Sequence, residues 1–184
     1  MLQLQTVFPD TLELLKGLSS RPEMSGLRLV GGTALALQYG HRQSIDLDFF
    51  GTLAVEQDDI IEMFSSMGSF TIHNRTKRIL QGALRGIKVD VIDYSQYPWI
   101  DAAVVEDGIT LASPRDIAAM KINAIEGRGT RKDFIDIYFL LQEVEVFTHT
   151  VFQHFLLLTL RAGVEAQVYL FLGVDGRGSN VVAV

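Results

Sequence analysis

Residues 27–50 constrain the fold of this chain more than any other stretch. The apolar run Leu27-Arg28-Leu29-Val30 ends at the pair Gly31-Gly32, and a compact apolar segment from Thr33 to Tyr39 follows. After Gly40 comes Ser44-Ile45-Asp46-Leu47-Asp48-Phe49. The first run reads as a buried strand, and residues 33–39 as a short helix stopped by Gly40. Residues 46–50 read as a second strand. Alternate residues of a strand share a face, so Asp46 and Asp48 project together while Ile45, Leu47 and Phe49 point into a core.

The rest of the chain extends this mixed pattern. A short amphipathic helix is expected over 9–19 and another over 55–67, closed by Gly68. Residues 69–79 and 83–92 read as strands joined by a turn near Gln81-Gly82, and 104–111 as a short strand element turning at Asp107-Gly108. Ser113-Pro114-Arg115-Asp116 is a helix start, with Ser113 as cap and Pro114 in the first position. That helix runs to about residue 126 and a second spans about 131–144. In the apolar tail, 155–160 reads as helix and 168–174 as strand. The expectation is an α+β fold: a mixed sheet with flanking helices over 1–112, followed by a C-terminal helical region over 113–184, packed on the core.

Composition narrows the function classes. At 184 residues the chain is long enough for one sizeable core. It has no cysteine, which excludes disulfides, thiolate metal ligands and a cysteine nucleophile. A cytoplasmic home fits that absence. The N-terminus lacks the basic start and apolar block of a signal peptide. No apolar run is long enough to span a bilayer, so no membrane partner is expected. The net charge of −6 argues against a dedicated non-specific nucleic-acid binder. Positive charge gathers at Arg75, Lys77, Arg78, Arg85 and Lys88, and again at Arg128, Arg131 and Lys132. Each cluster is either solvated surface or a face for phosphate.

The chemistry-bearing residues form an ordered set. Two carboxylates on one strand repel unless a cation lies between them, and hard oxygen ligands suit Mg²⁺ or Mn²⁺ carrying a nucleotide's phosphates. A glycine turn ahead of a helix leaves backbone N–H groups for those phosphates. Asp90, in Ile87-Lys88-Val89-Asp90, is the third candidate carboxylate. Val89 and Val91 would face the core, leaving Lys88 and Asp90 on the other face. Carboxylates from adjacent strands can hold two ions, one for the attacking oxygen and one for the leaving pyrophosphate. The pattern reads as a site for metal-assisted nucleotidyl transfer.

These motifs carry a family resemblance. Gly31 to Leu37, His41-Arg42 and Ser44 to Phe50 resemble the first motif of the AbiEii-type nucleotidyltransferase toxins, within the DNA polymerase β-like nucleotidyltransferase superfamily. Lys88-Val89-Asp90 resembles that family's third-carboxylate strand. Ile117-Ala118-Ala119-Met120-Lys121 resembles its lysine-bearing helix, and Arg131 to Tyr138 its Arg-Asp-x-x-Asp-Leu-Tyr helix. The resemblance covers about residues 25–145 and fades beyond.

The resemblance implies a catalytic set of Asp46, Asp48, Asp90, Lys121, Asp133 and Asp136, with Asp46, Asp48 and Asp90 as metal ligands. Gly31, Gly32, Thr33, Arg42 and Lys121 would bind the nucleotide. Lys121 is expected as a mobile point charge reaching the triphosphate. Asp133 and Asp136, three apart on one helix face, would orient Lys121 or Arg131, or act as base on the acceptor hydroxyl. Arg42 either contacts phosphate or pairs with Asp46. Thr33 either donates to phosphate or caps its helix. His41 reads as a turn residue, and Tyr94, Tyr97 and Trp99 as packing or as a platform for a base. The implied activity moves a nucleoside monophosphate from an NTP to a tRNA 3′ end or a protein acceptor. The implied setting is the toxin half of a toxin–antitoxin or phage-defence pair, with an antitoxin as partner. The alternative is a non-catalytic nucleotide-binding or interaction module that keeps the same fold.

Overall fold

A computed structural model describes residues 1–127 and 129–143. The elements are α1 (Pro9–Ser19), β1 (Leu27–Val30), α2 (Gly31–Tyr39), β2 (Leu47–Gly51), α3 (Gln57–Met67), β3 (Phe70–Arg75), β4 (Ile79–Leu84), β5 (Ile87–Asp93), β6 (Val104–Glu106), β7 (Ile109–Leu111), α4 (Pro114–Gly127) and α5 (Arg131–Glu143). Short 3₁₀ turns cover Leu4–Thr6 and Pro22–Met24. The expected elements at 155–160 and 168–174, and Arg128 of the second basic cluster, lie outside the described residues.

The strands form one mixed sheet in the order β3-β4-β5-β2-β1-β7-β6. β2 runs parallel to β5, and β1 parallel to β7; the remaining neighbours are antiparallel. Period-two alternation selects the buried face. Leu47 and Phe49 of β2, Leu80 and Leu84 of β4, and Val89 and Val91 of β5 are buried together. α3 packs on β3 and β4, while α2 packs on β1 and β2 and also meets α4 and α5. This is the α+β arrangement expected from the sequence, a mixed sheet with flanking helices. Among the described residues, no helix is long and apolar enough to cross a membrane.

Caps and turns explain most boundaries. Glu56 and Asp59 form a reciprocal capping box at the start of α3. Ser113 accepts the Asp116 N–H at 3.1 Å, capping α4 as its position before Pro114 implies. Asp107 and Gly108, both at positive φ, turn β6 into β7.

The hairpin expected at Gln81-Gly82 is corrected. β4 runs straight through both residues, and the two-residue turn is Arg85-Gly86, at φ 55° and 82°. Gly82 is needed for close approach instead: an added Cβ would lie 2.5 Å from the Phe70 ring and from the Thr71 carbonyl. Three strands therefore stand where two were expected. Two boundaries also move. α2 begins at Gly31 rather than Thr33, and Asp46 precedes β2 rather than opening it.

Candidate active site

Two polar groupings meet at the N-terminus of α2. The first is a row across four strands on the sheet face opposite the apolar core. β2 and β5 pair in parallel with Asp48 opposite Asp90, β4 places Gln81 opposite Asp90, and β3 places Asn74 opposite Gln81. Asn74 Nδ2 donates to Gln81 Oε1 at 3.0 Å, and Gln81 Nε2 donates to Asp90 Oδ2 at 2.7 Å. Lys88 Nζ stands 2.9 Å from the same Oδ2 and 3.9 Å from Asp48 Oδ1. Asp90 Oδ1 is buried and has no hydrogen-bond partner.

Charge crowding tunes this row. Partial burial, together with the neighbouring Asp90 and Asp46 charges, pushes the Asp48 carboxyl up to about 6 against the opposing pull of Lys88 and Lys121. Burial works against the Lys88 ammonium, but its hydrogen bond to Asp90 and the fields of Asp48, Asp90 and Asp46 outweigh it and raise its pKa.

The glycine pair fits the two groupings to the helix. Gly31 has φ +68°, and a Cβ there would lie 2.7 Å from Asp48 Oδ2. A Cβ on Gly32 would overlap the Arg42 guanidinium. Val30, extended, precedes α2 and provides no side-chain cap. The first-turn N–H groups of α2 therefore gain no side-chain acceptor from the position that usually supplies one. Thr33 is buried. Its hydroxyl donates to the Asp46 carbonyl and lies 2.9 Å from the Ser44 hydroxyl. Thr33 does not cap its helix; it ties α2 to the segment carrying Asp46.

The second grouping centres on Asp136, fully buried on α5. Arg42 forms a fork with it, Nε to Oδ1 at 2.6 Å and a terminal nitrogen to Oδ2 at 2.9 Å. His41 Nε2 lies 2.8 Å from Oδ1, its ring stacked on Phe139. Lys121 of α4 stands 2.7 Å from Asp136 Oδ2 and 3.0 Å from Asp133 Oδ1. Asp133 in turn accepts from the Thr130 hydroxyl at 2.6 Å and the Thr130 N–H at 3.3 Å, closing the start of α5. Burial alone would raise Asp136, but the donors Arg42, His41 and Lys121, and the Lys121 charge, hold its carboxyl far below the usual range.

Several expectations change here. Lys121 is not mobile: its side chain is 8% exposed and is clamped by two aspartates. Arg42 pairs with Asp136 rather than with Asp46. Asp136 is buried with Arg42, His41 and Lys121 all on its carboxylate. Asp133 is buried and engaged with Lys121 and Thr130. The Asp133–Asp136 pair does orient Lys121, one of its expected roles. Tyr94 packs against both Tyr97 and Trp99, and Arg28 lies 4.1 Å over the Trp99 ring. Tyr94 follows Asp93, which pairs with Gly51, three residues along the strands from the Asp48–Asp90 rung. Gln81 and His41 were not anticipated as site residues. The mistaken turn hid Gln81, and no spacing rule flags His41.

Among the described residues, no three His, Cys, Asp or Glu side chains converge as a ready-made metal cage. The donor chemistry nevertheless fits a hard divalent ion. Asp48 and Asp90 face each other across paired strands, Asp90 has an orphaned oxygen, and a cation from the chain already stands between them.

Comparisons with known proteins bear separately on family and on fold. The family described as nucleotidyl transferase AbiEii toxin, type IV toxin–antitoxin system, matches residues 13–170. An uncharacterized protein of Aquifex aeolicus (strain VF5) is 37% identical over 119 residues, covering 62% of this chain and 57% of that protein. The match thus spans less than three fifths of that relative's length. Among solved structures, JHP933 from Helicobacter pylori has a TM-score of 0.54 at 20% identity, covering 100% of this chain and 87% of that one. The antibiotic-resistance factor ANT(2'')-Ia has a TM-score of 0.61 at 11% identity, covering 90% and 100%. The Megavirus polyadenylate synthase has a TM-score of 0.54 at 16% identity, covering 72% and 30%. These likenesses carry the fold. The match over residues 13–170 carries the family and supports nucleotidyl transfer as the class of chemistry: the chain belongs to the AbiEii nucleotidyl transferase toxin family.

Proposed function

We propose that this protein is a metal-dependent nucleotidyltransferase that moves a nucleoside monophosphate from an NTP to a tRNA 3′ end or a protein hydroxyl, releasing pyrophosphate. It would act as the toxin of a toxin–antitoxin or phage-defence pair. The observation that carries the reading is the rung of Asp48 and Asp90 on paired strands, with Gly31 packed against Asp48 at a helix start without a side-chain cap.

Asp48 and Asp90, with Asp46 beside them, would hold Mg²⁺ or Mn²⁺, which supplies neutralisation of charge at the reacting phosphate. The N–H groups opening α2, at Gly31 and Gly32, receive the triphosphate. Thr33 serves by holding the Asp46 segment in place. Arg42, Asp133 and Asp136 fix Lys121, whose charge lowers the Asp48 pKa and so lies within electrostatic reach of the carboxylates. A preorganised, buried ammonium stabilises developing negative charge better than a mobile one, since it needs no reorganisation. In this reading a core over 1–112 is completed by the helices that begin at residue 113.

Incubation with Mg²⁺, each α-³²P-labelled NTP and total bacterial RNA or protein tests the reading. Label transfer is expected. The double variant Asp46→Ala/Asp48→Ala should lower it by at least about a thousandfold while leaving the circular dichroism unchanged. Undiminished labelling in that variant sinks the mechanism. Nucleotide binding without any transfer would favour the non-catalytic module.

A further inference from the structure

Lys88 occupies the edge that Asp48 and Asp90 share. Its ammonium is 2.9 Å from Asp90 Oδ2 and 3.9 Å from Asp48 Oδ1, and its side chain is 47% exposed. The Asn74–Gln81 relay holds that same Oδ2. Asp90 therefore has one oxygen with two donors and another, Oδ1, buried with none. A carboxylate so divided is poised for one more cationic partner, because a buried acceptor without one is costly. The present cation is a point charge on a flexible stem that reaches solvent, so it can withdraw without disturbing the core.

We propose that Lys88 is a tethered competitor for the divalent cation, occupying the Asp48–Asp90 edge until metal displaces it. The proposal rests on the metal-binding reading above. Displacement frees the ammonium beside the site, where an anionic triphosphate is its natural next partner. The cation alone then binds weakly, because it must first break the Lys88 contacts. Lys88 is a positioning residue in this scheme, and its effect appears in metal affinity without turnover.

Mn²⁺ titration of the full chain without nucleotide, followed by the paramagnetic resonance of the free ion, tests this. Lys88→Met should raise Mn²⁺ affinity roughly fivefold or more, the worth of a near-surface ion pair. Lys88→Gln should do the same, and Lys88→Arg, which keeps a cation, should stay near wild type. Mg²⁺ should also raise the melting temperature of Lys88→Met by more than that of wild type. Asp90→Asn should abolish Mn²⁺ binding in every background. Unchanged or weaker binding in both Lys88→Met and Lys88→Gln, with Asp90→Asn still abolishing it, overturns the competitor and leaves the metal site standing. Binding that survives Asp90→Asn, or is absent from every variant, overturns both.

Discussion

Asp48 gives up its proton only near pH 6, because partial burial and two neighbouring acids oppose its charge. A metal must displace that proton below this value. Mg²⁺ affinity measured by calorimetry should therefore be flat above about pH 7 and fall roughly tenfold per unit below pH 6. Affinity that is level down to pH 5 would remove Asp48 from the ligand set. Gly31 controls the same carboxylate from the other side. Gly31→Ala places a side chain at φ +68° and a Cβ 2.7 Å from Asp48 Oδ2. Urea unfolding should show a loss of about 1–2 kcal/mol, and metal binding should weaken beyond what that loss explains. At this scale much was legible: strand alternation and glycine placement singled out Gly31, Asp48 and Asp90. What spacing cannot show is which way a long side chain turns: the sequence left Arg42 between phosphate and Asp46 and gave Lys121 no partner of certain identity, and the structure sets both against Asp136, with Lys121 also on Asp133.

Asp136 ties helix α5 to α4 by Lys121 and to the loop after α2 by Arg42 and His41. Removing one member of a buried ionic group leaves the others uncompensated. Asp136→Asn should cost on the order of 3 kcal/mol at pH 7. Folding lowers the Asp136 pKa from its ordinary 3.8, so its stabilisation is complete above that value and is lost as pH falls below it. The gap between variant and wild type should thus narrow steadily in chemical melts as pH falls below about 3.8, and a gap that stays constant with pH would contradict the charge account. Element boundaries were legible where a cap or a turn residue sits in its usual place, as at Ser113 and Asp107-Gly108. They failed at Gln81-Gly82, because glycine serves two purposes. It permits a turn, and it also makes room for a ring such as that of Phe70, and only the tertiary structure distinguishes the two.

In the whole molecule, β2 and β5 stand in the middle of the sheet, while β3 and β6 are its edges among the described residues. All but the first residue of β3 are exposed or nearly so. Native-state hydrogen exchange should find β3 and β6 amides opening locally and β2 and β5 amides exchanging only with global unfolding. Equal protection in β3 and β5 would mean that the sheet extends beyond its apparent edge. The α+β layering was readable from the order of periodic segments. Strand order was not, since β1 pairs with β7 across most of the folded length and no local signal reports that pairing. The Arg42–Asp136 fork has a further consequence, for synthesis. Its partners are 94 residues apart in sequence. On the ribosome, the glycine pair and β2 emerge long before the carboxylate that fixes Arg42 exists. A nascent chain that stops short of α5 carries the acidic strand rung but a Lys121 without its two aspartate partners, so the polar centre is assembled late in translation.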